Sequence, residues 1–276
     1  MTNRFVRLLL PRALAVLALV GAVGLREVPG AVAADDKATA IKPPAELRVG
    51  ITTNYPPIAF EEAGKVVGVE ADLAHKLGEE LPTKITFVQV EWDDLWPALR
   101  DKKIDVVMSG VSITERRSQR VSFTEPYLRV GQMALVRKAD MTKLAEPGAM
   151  NQKGRRIGVE KNTTGEAYAR RHLEEATTVT FDSVDLGLAA LRGGDVDYFI
   201  HDAPTVWRVV GRPPTEDREL VGIYRPLTDE YLAWAVRKDD SATLGALLDA
   251  KIEEWQKDGE LQAVIDRWIP VTKITK

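Results

Sequence analysis

The chain has 276 residues, 45% of them hydrophobic, and a formal net charge of −3. These values suit a globular protein of one large domain or two modest ones. Its 38 Lys and Arg residues are dispersed and it has no cysteine, so it carries no basic tract for nucleic acid and no means to form a disulfide or a thiolate metal site.

The first residues read as an export signal. Arg4, Arg7 and Arg12 make a positive start, residues 13–25 are an apolar run of 13, and Ala31-Val32-Ala33 has the small-x-small pattern of a cleavage site. That order is expected of a secretory signal over residues 1–33, and the run is short for a membrane span. An uncleaved N-terminal anchor is the alternative. Cleavage leaves 34 basic against 40 acidic side chains, a net charge of −6, which suits a soluble protein and disfavours an anionic membrane surface. With no cysteine to take a lipid, the mature chain is expected to diffuse freely in a periplasm. No later stretch is apolar for long enough to span a bilayer.

Residues 34–46 form a polar leader with Pro43-Pro44. A strand is expected at 47–51. Leu73, Leu77 and Leu81 set a helix over 69–81 that stops at Pro82. A strand follows at 84–90, a helix at 93–100 and a buried strand at 104–108. This alternation predicts an α/β fold whose sheets are mainly parallel and flanked by helices.

The sequence then echoes itself. Arg48-Val-Gly-Ile-x-x-Asn54 is matched by Arg156-Ile-Gly-Val-x-x-Asn162, and Ala98-Leu-Arg-x-x-x-Ile-Asp105 by Ala190-Leu-Arg-x-x-x-Val-Asp197. Strand–helix–strand units resemble one another generically, but two matches in the same order favour two similarly built lobes. Ligands of open α/β sheets bind beyond the carboxyl ends of the strands. Those ends carry residues 52–55 and 109–112 in the first lobe and 160–165 and 201–202 in the second. Facing rims of this kind form a cleft between lobes.

Residues 109–117 (SGVSITERR) follow a buried strand and offer Ser109, Gly110, Ser112 and Arg117. An arginine fork with hydroxyl and amide donors is what a carboxylate requires. Arg117 is placed on the ligand and Arg116 outward, although Ser112 or Thr114 also suits a helix cap with both arginines solvated. Thr163 and Thr164 open a helix over 166–174, where free N–H groups and the helix dipole favour an anion. Capping is the alternative there, and the main role expected of Glu166. Asp202, just past a strand at 196–200, is the partner for an ammonium group, or an N-cap before Pro204. His201 is read as its polar neighbour. Tyr55 and Trp92 offer an aromatic wall, with a core role open for Trp92. Thr52 and Glu160 occupy equivalent places in the two echoes and are expected to face each other across the cleft.

His75, His172 and His201 are scattered, and no phosphate loop, dinucleotide fingerprint or Gly-x-Ser-x-Gly elbow occurs. No metal, cofactor or catalytic residue is therefore expected.

Residues 66–74 (VVGVEADLA), 105–117, 123–127 (FTEPY), 158–166 and 201–204 (HDAP) together resemble the family 3 periplasmic solute-binding proteins of ABC transporters, the polar-amino-acid group. The resemblance covers residues 47–270. It implies a periplasmic-binding-protein type II fold, with lobe one at 47–127 and 238–276 and lobe two at 128–237. Two hinge strands would cross near 127–132 and 232–237, and C-terminal helices carrying Trp255 and Trp268 would pack on lobe one. It also implies that Arg117, Ser112 and the Thr164 amide hold a ligand carboxylate. Asp202 and the Ser109–Gly110 region would hold an ammonium, and Tyr55 and Trp92 would sandwich the side chain. The implied partners are an amino acid and the membrane permease of an ABC transporter, with the protein a monomer. Relatives that bind cationic or polar amino acids carry Asp where this chain has Thr52, which argues against a lysine- or arginine-type ligand. Glu160 argues the other way, and the side chain stays open. Some relatives resemble cyclohexadienyl dehydratases acting on prephenate or arogenate. Glu166 lies where those enzymes keep an acid, so an enzyme is the alternative reading.

Overall fold

The computed structural model describes residues 41–211 and 219–269. The expected signal at 1–33 and most of the leader lie outside the described residues.

Two five-stranded sheets organise the chain, and they have the same design. In the first, Lys84–Gln89, Glu46–Ile51 and Val106–Val107 lie side by side and parallel, followed by antiparallel Ala235–Val236 and then Ser122–Phe123. In the second, Thr177–Phe181, Arg156–Glu160 and Tyr198–Asp202 are parallel, followed by antiparallel Gln132–Arg137 and then Leu220–Ile223. The fourth strand of each sheet comes from the segment just after the chain has crossed between lobes. The crossings pair with each other as the antiparallel ribbon Leu128–Val130 and Glu230–Leu232.

The echo in sequence is an echo in bonding. Arg48 donates its backbone N–H to Asp105 Oδ2 at 3.0 Å and its Nη2 to Oδ1 at 2.6 Å. Arg156 does the same to Asp197, at 2.9 and 3.0 Å. A further pair of arginines completes the symmetry. Arg237 Nη1 donates to the carbonyls of Leu99 and Ile104, and Arg137 Nη1 to those of Leu191 and Val196. Each arginine also meets an aspartate three residues on, Asp240 at 2.6 Å and Asp140 at 2.7 Å.

The predicted elements fall close to their places, with shifts that matter for the site. The first helix runs Val69–Glu80 and buries Leu73 and Leu77. The helix expected at 93–100 begins as a 3₁₀ turn, Trp92–Asp94, and continues as Leu95–Arg100. The strand expected at 104–108 is paired only over Val106–Val107. The strand expected at 196–200 runs Tyr198–Asp202, so Asp202 ends the strand instead of following it. The helix expected at 166–174 is Thr164–His172, capped by the Thr163 hydroxyl.

The C-terminal helices Ala246–Asp258 and Glu260–Trp268 pack with the first helix in the core of lobe one, around fully buried Trp234 and Trp255. Trp268 is partly buried there and donates its indole N–H to Asp72 at 2.8 Å. Lobe two has a core on each face of its sheet, one including Phe199, Leu188 and Val206, the other Tyr198, Ile157 and Ala169. Because Ala235–Val236 pairs in the first sheet, the boundary drawn after residue 237 moves back to the end of the crossing strand at Leu232. Among the described residues no helix is long and apolar enough to cross a membrane.

Candidate functional site

The carboxyl ends of the two parallel strand sets face one another across a cleft, the place where open α/β sheets bind small molecules. Lobe one contributes Thr52, Asn54, Tyr55, Trp92, Gly110, Ser112 and Arg117; lobe two contributes Gln132, Glu160, Thr163, Thr164, His201 and Asp202.

Arg117 is held by the short helix Glu115–Ser118, whose N-cap is Thr114, accepting from the Arg117 N–H at 3.3 Å. Capping therefore falls to Thr114 and leaves Ser112 free of it. The turn directs the Arg117 side chain inward, where it is 8% exposed, while Arg116 stays exposed. The guanidinium lies over Trp92 and Trp96, with centroid distances of 5.3 and 5.8 Å. It donates to the Ser112 carbonyl at 2.9 Å and the Asn162 carbonyl at 3.4 Å. Among the described residues no carboxylate forms an ion pair with it, and burial pulls its pKa down to about 10. A buried guanidinium between aromatic faces and without an anion is costly unless an anion is supplied.

Asp202 is its counterpart from the other lobe. It occupies the N-cap position of helix Ala203–Val210 but makes no side-chain cap bond. Its carboxylate instead turns into the cleft, accepting from Tyr55 Oη and from Gln132 Nε2. Burial raises its pKa, and so does nearby Glu230, against the His201, Tyr55 and Gln132 contacts. Tyr55 is pushed well above the ordinary phenol value by burial and by Asp202. Two carboxylate oxygens accept more than two bonds, so Asp202 retains capacity for an ammonium.

Thr163 serves as a cap, accepting from the Glu166 N–H at 3.3 Å and donating to the Glu160 carbonyl at 2.7 Å. Thr164 Oγ1 accepts from Gln132 Nε2 at 3.0 Å. Glu166 is not in the cleft; it accepts from the Asn162 N–H at 2.6 Å and pairs with Arg170 at 2.8 Å, so it locks the turn before the helix. The expectation for Ser109 is corrected. It is 1% exposed and stands behind the wall, where its hydroxyl accepts from the Thr52 N–H at 3.0 Å and meets Thr52 Oγ1 at 2.7 Å. Thr52 and Glu160 both reach the cleft, as does Trp92.

Gly110 lines the cleft at φ +65°, and a Cβ there would come within 2.5 Å of the Tyr55 ring. Its N–H points back to Glu70 Oε1 at 2.8 Å. Glu70 is fully buried and also accepts from Tyr127 Oη and Trp234 Nε1, each at 2.7 Å. It thus joins the cleft wall to the residues flanking both crossings. Burial pushes its pKa up to about 7, against the three donors.

Gln132 and Glu70 join the site without being expected in it, and Asn54 and Asn162 lie on the expected rims, 52–55 and 160–165, without an expected role. Glu70 lies inside a quoted motif, and Gln132 at the end of an expected crossing, but nothing in residue spacing shows what either side chain meets. Asn162 is expected on the lobe-two rim as the echo of Asn54. It sits at φ +59°, a conformation asparagine tolerates, and bridges the lobes. Its carbonyl accepts from Trp92 Nε1 at 3.4 Å and its Nδ2 donates to Asp93 at 2.8 Å. Lys161 adds a 3.4 Å contact to the same Asp93. With the Tyr55–Asp202 bond, these contacts describe lobes closed on the cleft.

A hinged pair of duplicated α/β lobes with a buried, oppositely charged cleft defines a solute-binding protein, and residues 47–271 match the bacterial extracellular solute-binding proteins, family 3, to which this chain belongs. It is 32% identical over 233 residues to ABC transporter arginine-binding protein 1 of Escherichia coli, covering 82% of this chain and 91% of that protein. To the L-cystine-binding protein TcyJ of E. coli it is 31% identical, over 83% of this chain and 84% of the relative. Among solved structures, a binding component of an ABC transporter from Wolinella succinogenes, complexed with lysine, aligns with TM-score 0.77 at 29% identity, covering 83% and 98% of the two chains. An ancestral amino-acid-binding protein, a precursor of cyclohexadienyl dehydratase, aligns with TM-score 0.73 at 30% identity, covering 82% and 95%.

Proposed function

We propose that the mature protein, exported to the periplasm by residues 1–33, captures a free amino acid between its lobes and delivers it to the permease of an ABC transporter. The observation that carries this is Arg117: a buried guanidinium lining a cleft, with no carboxylate partner among the described residues. An α-carboxylate satisfies it, assisted by Ser112 and the Thr164 amide at the start of its helix. The α-ammonium falls to Asp202, beside Tyr55 and Gln132, and Tyr55 and Trp92 flank the side chain. The carboxylate then draws on both lobes and the ammonium on Asp202 of lobe two, so ligand binding favours the closed state by the contacts that only closure completes.

The protein acts as a monomer and binds its ligand without chemical change. Glu166, the acid that a dehydratase reading would require, is engaged with Asn162 and Arg170 outside the cleft. The names of the relatives, which are amino-acid-binding proteins, support the same reading. A thermal-shift panel tests it, using the mature protein stripped of carried-over ligand by unfolding and refolding. A ligand at about 100 times its Kd adds about 2.7 kcal/mol, or roughly 5–10 °C for a protein of this size. One chemical group of amino acids is expected to give that shift. No shift with any amino acid, or turnover of prephenate, refutes the proposal.

A further inference from the structure

The charges lining the cleft do not cancel. Among the described residues Arg117 is the one cation of fixed charge there, against two carboxylates, Asp202 and Glu160. A bound zwitterion matches Arg117 with its carboxylate and Asp202 with its ammonium, which leaves Glu160. This carboxylate ends the strand Arg156–Glu160 and is 9% exposed. Its Oε2 lies 3.2 Å from His201 Nε2, while no protein donor among the described residues reaches its Oε1. Apart from Arg117, the described residues that lobe one contributes to the cleft are uncharged.

His201 is built to respond to what Glu160 holds. The imidazole is 5% exposed, packed edge-on against Tyr55 with centroids 5.3 Å apart and flat against Phe199 at 6.1 Å. Its Nδ1 is buried without a hydrogen-bond partner, which suits the neutral ring that donates through Nε2 and leaves Nδ1 bare. The charged groups around it are Glu160 on the neighbouring strand, Asp202 next in its own strand and Arg208 on the following helix. Burial pulls its pKa down, but the Glu160 hydrogen bond and the charges of Asp202 and Glu160 lift it above the ordinary histidine value, against Arg208. The ring therefore takes up a proton readily only while Glu160 has no other cation.

Building on the zwitterion reading above, we propose that Glu160, with His201 behind it, accepts a positively charged nitrogen group at the end of the ligand side chain. The cleft then selects amino acids with a cationic side chain and holds them less tightly as His201 becomes protonated. Ligand cation and imidazolium compete for one carboxylate. Affinity for a cationic ligand falls as pH drops through the pKa of His201 in the free protein, by at most about tenfold per pH unit for one linked proton, and levels off above it. A neutral side chain of the same shape shows no such dependence.

The test is calorimetric titration of the refolded mature protein with arginine and with its neutral isostere citrulline, from pH 5.5 to 8.5. The expected result is arginine at least tenfold tighter at pH 8, with the ratio shrinking toward acid. The Glu160→Gln variant, checked by circular dichroism for its fold, is expected to lose both the preference and the pH dependence. Equal affinities in the wild type, or a ratio that does not change with pH, overturn the proposal while leaving amino-acid binding intact. Binding of no amino acid at any pH overturns the zwitterion reading itself.

Discussion

Replacing Arg117 by Met separates a residue kept for binding from one kept for stability. Methionine retains much of the apolar volume between Trp92 and Trp96 and removes the charge. The pKa lowered to about 10 is equivalent to about 3 kcal/mol of burial cost in the free protein, and the substitution removes that cost. Against this, the carbonyls of Ser112 and Asn162 lose donors at 2.9 and 3.4 Å, at about 1–3 kcal/mol for a well-formed buried bond and less for the longer one. The two effects nearly offset, so urea unfolding of the ligand-free variant is expected to lie within about 2 kcal/mol of wild type, on either side. Binding behaves differently. The ligand carboxylate would be desolvated without its partner, a loss of about 2–5 kcal/mol, or roughly one and a half to three and a half decades in Kd. Calorimetry of both proteins with the ligand found in the panel measures this. An affinity within about threefold of wild type in a folded variant refutes the carboxylate assignment.

Three further perturbations probe the frame around the cleft. Glu70 has a raised pKa of about 7 in the folded state, so between the ordinary carboxyl value and pH 7 the folded protein binds a proton that the unfolded chain has released. Stability from this group is expected to fall by about 3 kcal/mol as pH rises through that window and to level above it, a slope absent from Glu70→Gln in urea titrations at stepped pH. Asp93→Ala removes the 2.8 Å bond to Asn162 and the 3.4 Å contact to Lys161 across the mouth of the cleft. As exposed contacts these are worth about 1–2 kcal/mol together, so stopped-flow dissociation should quicken by roughly five- to thirtyfold, with little change in melting temperature. Arg137→Ala and Arg237→Ala each remove the guanidinium donor from two carbonyls, although the Leu191 and Leu99 carbonyls keep the N–H of Gly194 and of Lys102. Each is expected to cost about 2–4 kcal/mol in urea unfolding, and a large difference between the two would contradict the equivalence of the lobes.

The duplication was legible because strand-end residues repeat in type and spacing. Arg48 with Asp105 and Arg156 with Asp197 turned out to be the same ion pair in two places. The second half of that symmetry, Val136-Arg137-Lys138-x-Asp140 against Val236-Arg237-Lys238-x-Asp240, is also present in the sequence. It follows the crossings, where chain order and sheet order part, so no local strand–helix–strand pattern flags it. The same break misplaced the boundary at 237. Arg117 and Asp202 were readable as charged residues at strand ends, where an α/β sheet leaves side chains free of its core. Ser109 was misjudged because its neighbour Thr52 lies far away in sequence, and the hydroxyl that looks available in a serine-rich turn is bonded across the sheet. Gln132 and Glu70 act through partners on other elements, at distances that spacing along one segment does not encode.

The most direct test of the account is to remove each end of the zwitterion in turn. The refolded mature protein would be titrated calorimetrically with the amino acid that gives the largest thermal shift, with its α-amide and with its N-acetyl derivative. The account predicts at least about thirtyfold weaker binding for both derivatives, one losing the charge for Arg117 and the other the charge for Asp202. Binding of either derivative as tightly as the free amino acid would contradict it.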